Sequence, residues 1–149
     1  MDMKELMIDI RQLLEDARTA VLATVGRDGK PHLRWMTPAV LPLRPGAIYT
    51  VSAPNTGKIA DLKENPCVEW MIQNRSLTRV INIRGRVNIL DNPSLKSEVL
   101  EILGQRLFMF WKTHSDPAAF VVLETVVEEA WIYSPMRDRI EYVRFDQEG

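Results

Sequence analysis

The chain of 149 residues is 46% hydrophobic and 26% charged, and its 20 acidic and 19 basic residues leave a net charge of −1. These values are typical of one soluble globular domain over residues 1–149, long enough to bury a core without disulfide bonds. Because there is no basic excess, nucleic acid is not expected as a partner. The single Cys67 excludes an intramolecular disulfide, and no cluster of cysteine and histidine has the spacing of a metal site.

The N-terminal segment, residues 1–17, predicts an amphipathic helix that packs on a sheet. Its apolar side chains recur at one-face helical spacing, at Leu6, Ile10, Leu13, Leu14 and Ala17. The segment is too charged for a signal peptide, and no apolar run in the chain approaches the length of a membrane span. The sequence therefore predicts a cytoplasmic protein that makes no membrane contact.

A hairpin follows this helix. Residues 20–25 are apolar and β-branched, which predicts a strand. The next residues include Asp28 and Gly29, a pair that supplies the positive φ of a tight turn. The chain then returns antiparallel through a second strand, which carries residues 34–37.

A third strand and a short helix come next, and they carry the first indication of a ligand site. The strand is predicted at 47–51, and the helix begins near Lys58 and ends at Asn65 and Pro66. A cation and free backbone amides meet where this helix begins. The region therefore indicates a site for a flat ligand that bears a phosphate.

The rest of the chain predicts more strands and one further helix. The strands are placed at 68–72, 79–90, 120–126, 129–133 and 139–145. Gly85 is predicted to form a bulge or bend in its long strand. Asn92 and Pro93 are a helix cap and first helical residue, and that helix is expected to continue through Phe110.

Strands joined by short turns, with few helices between them, favour an antiparallel sheet over a parallel one. Six or seven strands of alternating character can close around a small core, and closure removes exposed edges. The predicted fold is mainly β in the α+β class: a small antiparallel barrel with peripheral helices.

A series of short motifs runs through the chain in a fixed order. The motifs are Thr19-Ala20-Val21-Leu22-Ala23-Thr24, Asp28-Gly29-Lys30-Pro31-His32, Arg34-Trp35-Met36-Thr37-Pro38, Tyr49-Thr50, Lys58, Asn65-Pro66 and Gly85-Arg86-Val87. In order and spacing they resemble the pyridoxamine 5′-phosphate oxidase-like FMN-binding split-barrel family, general stress protein 26 type. The resemblance implies a Greek-key split barrel and a homodimer, with FMN in two interface clefts that both chains line.

The resemblance also implies which residues bind the cofactor. They are Arg34, Trp35, Met36, Thr37, Tyr49, Thr50, Val51, Thr56, Gly57, Lys58 and Trp70. Residues 34–37 would lie along the isoalloxazine and the phosphoribityl chain, and residues 49–51 beneath the cofactor. The chemistry supports this assignment of the phosphate, because a helix start with unpaired amides and a nearby cation favours the binding of a dianion. Arg34 would add a forked pair of donors, and Trp35 and Trp70 are candidates to pack on the ring.

Several of these residues also have an ordinary structural interpretation. Arg34 or Lys58 alone would be a solvated surface charge, and it is their joint placement that favours phosphate. Met36 could equally fill the core. His32 and His114 have no base or metal partner nearby in the sequence, and both are expected to be solvated.

Two departures from the oxidases themselves bear on the phosphate and on the substrate. Their phosphate-binding lysine follows Ser-Arg, whereas Lys58 follows Thr56 and Gly57. The oxidases place an Arg and a His before a C-terminal Asp-Arg-Ile to hold the pyridoxal substrate, but here Pro135 and Arg137 stand at those positions. Oxidation of pyridoxamine phosphate is therefore not expected.

The predicted function is an oxidoreductase that passes hydride or electrons through FMN, with a small molecule as donor or acceptor. No side chain stands out as a general acid or base, so no catalytic residue is predicted and the cofactor performs the chemistry. Two alternatives stay open at this point. The chain could be a non-enzymatic module that stores or senses FMN, or the same fold could hold a deazaflavin or haem.

Overall fold

The computed structural model describes residues 1–104 and 120–145. Its helices are α1 Met3–Ala17, α2 Gly57–Glu64 and α3 Pro93–Leu103. Its strands are β1 Ala20–Val25, β2 Pro31–Met36, β3 Ala47–Ser52, β4 Cys67–Gln73, β5 Val80–Leu90, β6 Val121–Ser134 and β7 Arg139–Arg144. The expected continuation of the last helix to Phe110 and the expectation for His114 lie outside the described residues.

The seven strands form one antiparallel sheet in the order β2-β1-β4-β5-β6-β3, with β7 also paired to β6. On β6, β3 pairs with residues 121–126 and β7 with residues 129–134, so the sheet forks along this strand. The two ends of the sheet meet at Ala39, which follows β2 and exchanges backbone hydrogen bonds of 2.8 and 2.9 Å with Tyr49 of β3. The chain thus has the predicted antiparallel split-barrel fold.

The hairpin and the bulge form where the sequence predicts them. Gly29 has a φ of 79°, which supplies the positive φ of the turn between β1 and β2. Along β5 the register shifts between Arg84 and Gly85, and Glu128 of β6 has no partner there. A Cβ at Gly85 would lie 2.2 Å from the Val126 carbonyl oxygen, so the bulge brings backbone against backbone and requires glycine.

One strand prediction is wrong. Residues 120–126 and 129–133 were expected to be separate strands, but they form the single strand β6 of 14 residues. The bulge explains the difference, because an extra residue shifts the inward and outward alternation by one position. A pattern that changes phase in this way resembles two short strands.

Two hydrophobic clusters bury the apolar faces. The larger fills the barrel and includes the inner face of α1, with Leu6, Ile10 and Leu14 at 0 to 2% exposure. The smaller lies between α3 and the outer face of β3 and contains Tyr49 and Val51. Because both faces of β3 are covered, all six of its residues are buried.

The helices begin with side-chain caps where the sequence provides them. Asp2 accepts a hydrogen bond from the Glu5 amide at 2.8 Å at the start of α1, and Asn92 accepts one from the Leu95 amide at 3.1 Å at the start of α3. The predicted amphipathic helix and the predicted Asn92 cap are both confirmed. In the part of the chain that is described, no helix has the length and apolar character needed to cross a lipid bilayer.

Candidate functional site

A pocket of about 470 Å³ opens between β2 and the start of α2. Its lining contains His32, Arg34, Trp35, Met36, Thr56, Gly57, Lys58 and Asp61. Closure of the barrel builds it, because the Thr50 hydroxyl donates to the Thr37 carbonyl at 2.8 Å and ties the end of β2 to β3. The chain leaving β3 then reaches α2 within a few residues, so strand β2 and the helix start lie side by side.

Arg34 is held along one wall of this pocket. Its Nη1 donates to the Thr24 hydroxyl at 2.7 Å and to the Leu22 carbonyl at 3.4 Å. Its Nη2 lies 3.9 Å from Asp61 Oδ2. Burial lowers the pKa of Arg34, and the charge of Asp61 opposes that shift. The guanidinium is therefore an oriented cation rather than a mobile surface charge.

Lys58 is the second cation, and its hydrogen-bond partners in the described part of the chain are neutral. Its ammonium donates to the Ser52 hydroxyl at 3.0 Å and to the Thr56 hydroxyl at 3.1 Å. Among the described residues no carboxylate lies within ion-pair distance of it. Burial lowers the pKa of Lys58, and the charge of Arg34 lowers it further. Two cations that repel each other in a half-buried pocket favour the binding of an anion.

The start of α2 adds backbone donors to the same place. Thr56 has extended backbone at φ −95° and ψ 164°, but its side chain does not cap the helix. Within the described part of the chain, the first helix amide that donates to a protein acceptor is that of Ile59, which donates to the Thr56 carbonyl at 3.2 Å. The amides of Gly57 and Lys58 are therefore available to a ligand, and the helix dipole favours a negative one.

The structure adds two residues to the site that the sequence did not indicate, and it shows a partner for His32. His32 Nδ1 lies 2.7 Å from Asp61 Oδ2, and the same oxygen accepts the Thr24 hydroxyl at 2.9 Å. These hydrogen bonds, that of His32 first, lower the pKa of Asp61. The side chain of His32 is 48% exposed, so the ring reaches solvent as expected, and it is also paired with Asp61.

A weak signal for both residues was present in the sequence. His32 is two residues before Arg34, so both lie on one face of a strand. Asp61 is three residues after Lys58, so both lie on one face of a helix. The contact between them joins positions 29 residues apart and depends on closure of the barrel, which the strand patterns alone do not determine.

The other candidates from the sequence lie elsewhere. The hydroxyl of Tyr49 donates to Glu124 at 2.8 Å, and burial together with that carboxylate raises its pKa. Thr50 and Val51 are buried beside it at 1 and 3% exposure. Trp70 is 1% exposed within the larger core, where its indole nitrogen donates to the Thr125 hydroxyl at 3.0 Å. The pocket therefore contains six of the eleven candidates, and contact of any of the eleven with a cofactor stays a prediction.

Comparisons with known proteins are consistent with this architecture. Residues 6–134 match the family model described as pyridoxamine 5′-phosphate oxidase. No curated protein matches the sequence significantly.

Solved structures share the fold along most of the chain. General Stress Protein 26 from Bacillus anthracis str. Sterne is 23% identical with a TM-score of 0.70, over 95% of this chain and 99% of that one. A protein named F420 reductase is 21% identical with a TM-score of 0.64, over 80% and 94% of the two chains. A FAD-binding protein from Mesorhizobium loti is 18% identical with a TM-score of 0.67, over 84% and 91%. At these identities the likeness shows the fold alone.

Proposed function

The chain belongs to the pyridoxamine 5′-phosphate oxidase family, and from this membership and the pocket on β2 and α2 we propose that it is an FMN-binding oxidoreductase. The observation that carries the proposal is the pairing of Arg34 with Lys58 beside the uncapped start of α2. A phosphate monoester carries about two negative charges near neutral pH and has three acceptor oxygens. The donor set of the pocket, two cations and two amides, fits that group.

Each of these residues would hold the phosphate in a different way. Arg34 is already oriented by Thr24 and Leu22, so it offers a directed guanidinium at little conformational cost. Lys58 would exchange two neutral hydroxyl partners for an anion, which strengthens its hydrogen bond. The amides of Gly57 and Lys58 would fix the position of the phosphate along the helix axis.

The flat ring of the ligand would lie beyond the phosphate, towards Trp35. This side chain lines the pocket and is 80% exposed, which leaves its indole face open to another surface. When bound, FMN would supply the hydride or electron transfer, and the chain would supply position and electrostatics. We name no catalytic side chain, and the absence of the oxidase Arg and His at Pro135 and Arg137 argues for a substrate other than pyridoxamine phosphate.

A homodimer would complete the site. Trp35 and Leu33 of β2 are 80 and 70% exposed, and Met71 of β4 lies on the same face, because both Trp35 and Met71 are register partners of Val21. Apolar side chains grouped in this way mark protein interfaces more often than free surface. Since Trp35 borders both this face and the pocket, a partner docked here would form a wall of the cofactor cleft.

Two other functions follow from the same site. A non-enzymatic module would bind FMN but would not reduce or oxidise a partner molecule. A deazaflavin is the second candidate, and the shared fold with a protein named F420 reductase favours it over haem. FMN and a deazaflavin both carry a flat ring that would pack against the indole of Trp35.

The absorption spectrum of the purified protein tests the proposal, together with mass identification of the released ligand. We expect a flavin spectrum and the mass of FMN. Bleaching by a reductant and return of the colour with a defined acceptor would support an enzyme, whereas tight FMN without turnover would support the module. Release of a deazaflavin, haem or a ligand without phosphate would contradict the assignment to FMN.

A further inference from the structure

We propose that His32 is a third cation of the phosphate site, and that Asp61 positions it so that phosphate binds more tightly when His32 is protonated. The inference deepens the proposed function and rests on it. It names two residues of the pocket that neither the motifs nor the family resemblance assign to the cofactor. The recognised chemistry is a phosphate monoester dianion.

The hydrogen bond to Asp61 determines what His32 can offer. With Nδ1–H donating to Asp61 Oδ2 at 2.7 Å, the neutral ring has an acceptor at Nε2, and an acceptor repels a phosphate oxygen. Protonation turns Nε2 into a charged donor while the bond to Asp61 is kept. While it is paired with Asp61, His32 therefore disfavours a bound anion when the ring is neutral and favours one when the ring is protonated.

The surroundings of the pair are built to hold it. Asp61 Oδ2 also accepts the buried Thr24 hydroxyl at 2.9 Å, which restricts the carboxylate. Gly26 leaves the necessary space, because a Cβ there would lie 3.1 Å from Asp61 Oδ1 and 3.3 Å from His32 Cε1. A side chain at Gly26 would have to displace the carboxylate or the ring.

The charged groups around His32 explain why one proton matters. Arg34 on β2 and Lys58 on α2 are positive, whereas Asp61 is negative, so with a neutral His32 the pocket lining sums to one positive charge. A protonated His32 raises that sum to two. Asp28 of the β1–β2 turn is a further nearby carboxylate, and its Oδ1 accepts a hydrogen bond from the Lys30 amide at 3.0 Å. Doubling the positive charge at a half-buried anion site is expected to change affinity measurably.

The test is the affinity of the full-length apoprotein for FMN and for riboflavin, measured by flavin fluorescence from about pH 8.5 to about pH 5.5 at fixed ionic strength. The phosphate of FMN itself takes up a proton near pH 6 in both proteins. The informative quantity is therefore the ratio of the FMN affinity of the wild type to that of His32→Gln at each pH. We expect this ratio to rise about two- to tenfold for FMN as the pH falls, and to stay flat for riboflavin.

Asp61→Asn separates the proposal from a purely structural role. Removal of one negative charge is expected to tighten FMN at about pH 8.5 by about two- to fivefold, and to flatten the pH dependence because the His32 ring loses the charged acceptor that fixes its orientation. A structural residue would instead weaken FMN and riboflavin equally. Glu64→Gln is the matched control, because Glu64 is on the same helix, outside the pocket lining, and pairs with Arg27. We expect it to leave both affinities unchanged.

The outcomes distinguish this inference from the function on which it rests. If wild type binds FMN no more tightly than riboflavin at any pH, the phosphate site is wrong and the inference falls with it. If FMN is preferred but wild type and His32→Gln show parallel pH profiles, the phosphate site stands and His32 is not part of it. If Asp61→Asn does not bind FMN more tightly than the wild type at about pH 8.5, the proposed role of the His32–Asp61 pair is wrong, whatever the result for His32→Gln.

Discussion

At the scale of single residues, the pocket places charge where it is unfavourable in the absence of a ligand. Lys58 and Arg34 are half-buried and close enough that Arg34 lowers the pKa of Lys58, and within residues 1–104 and 120–145 only Arg34 has a carboxylate near it. Such an arrangement weakens the folded apoprotein and strengthens its affinity for an anion. Removal of a cation should therefore weaken binding without a matching loss of stability.

Lys58→Ala measures this trade-off. We expect FMN affinity to fall about ten- to a hundredfold, from roughly 1.5 to 3 kcal/mol for a charge-assisted contact, while riboflavin affinity stays nearly unchanged. The melting temperature of the apoprotein should not fall by more than a degree or so, because the repulsion with Arg34 is lost along with two hydroxyl contacts. Lys63→Ala, at the exposed end of the same helix, is the control and should change neither property. Equal loss of FMN and riboflavin affinity would make Lys58 a structural residue.

Asp61 links stability to acid pH. Its pKa is lowered in the folded state by the hydrogen bonds from His32 and Thr24, so the stability it contributes is present above its unfolded pKa of about 3.9 and is lost as the pH falls through the lower folded value. At about pH 6 the wild-type apoprotein should melt at a higher temperature than Asp61→Asn, and at about pH 3 this difference in melting temperature should be smaller. An advantage that is independent of pH over this range would rule out an ionised Asp61 as its source.

At the scale of elements, local pattern predicted most of the secondary structure. β1 has the predicted bounds because its apolar and β-branched run stops at a glycine turn, and α3 begins at the predicted Asn92 cap. What local pattern did not provide was the continuity of β6 and the contact between His32 and Asp61. The first is hidden by the bulge, and the second exists only because the barrel brings β2 against α2.

Gly85 tests the importance of that bulge. Gly85→Ala would place a Cβ 2.2 Å from the Val126 carbonyl oxygen, and a backbone neighbour cannot rotate away. We expect a loss of about 2 to 4 kcal/mol in the free energy of unfolding, measured by urea denaturation. Gly57→Ala is the control, because no atom lies within 4 Å of its added Cβ. A Gly85→Ala protein as stable as wild type would mean that the bulge relaxes without cost.

At the scale of the whole molecule, the proposed dimer would form through the exposed face of β2 and β4 and would complete the cofactor cleft. Light scattering of the wild type should report twice 17.1 kDa. Trp35→Glu should shift the protein towards monomer and weaken FMN at the same time, because one side chain borders both surfaces. Leu43→Glu, which is 87% exposed in the loop before β3, should leave the dimer intact. A wild-type monomer that still retains FMN would contradict the interface cleft.

We propose that a flavin is held through its phosphate by Arg34, Lys58 and the start of α2. Equilibrium titration of the wild-type apoprotein with FMN and with riboflavin tests it most directly, because the two ligands differ only in that phosphate. Two charge-assisted contacts predict that FMN binds at least about a hundredfold more tightly. Equal dissociation constants for the two ligands would contradict the account.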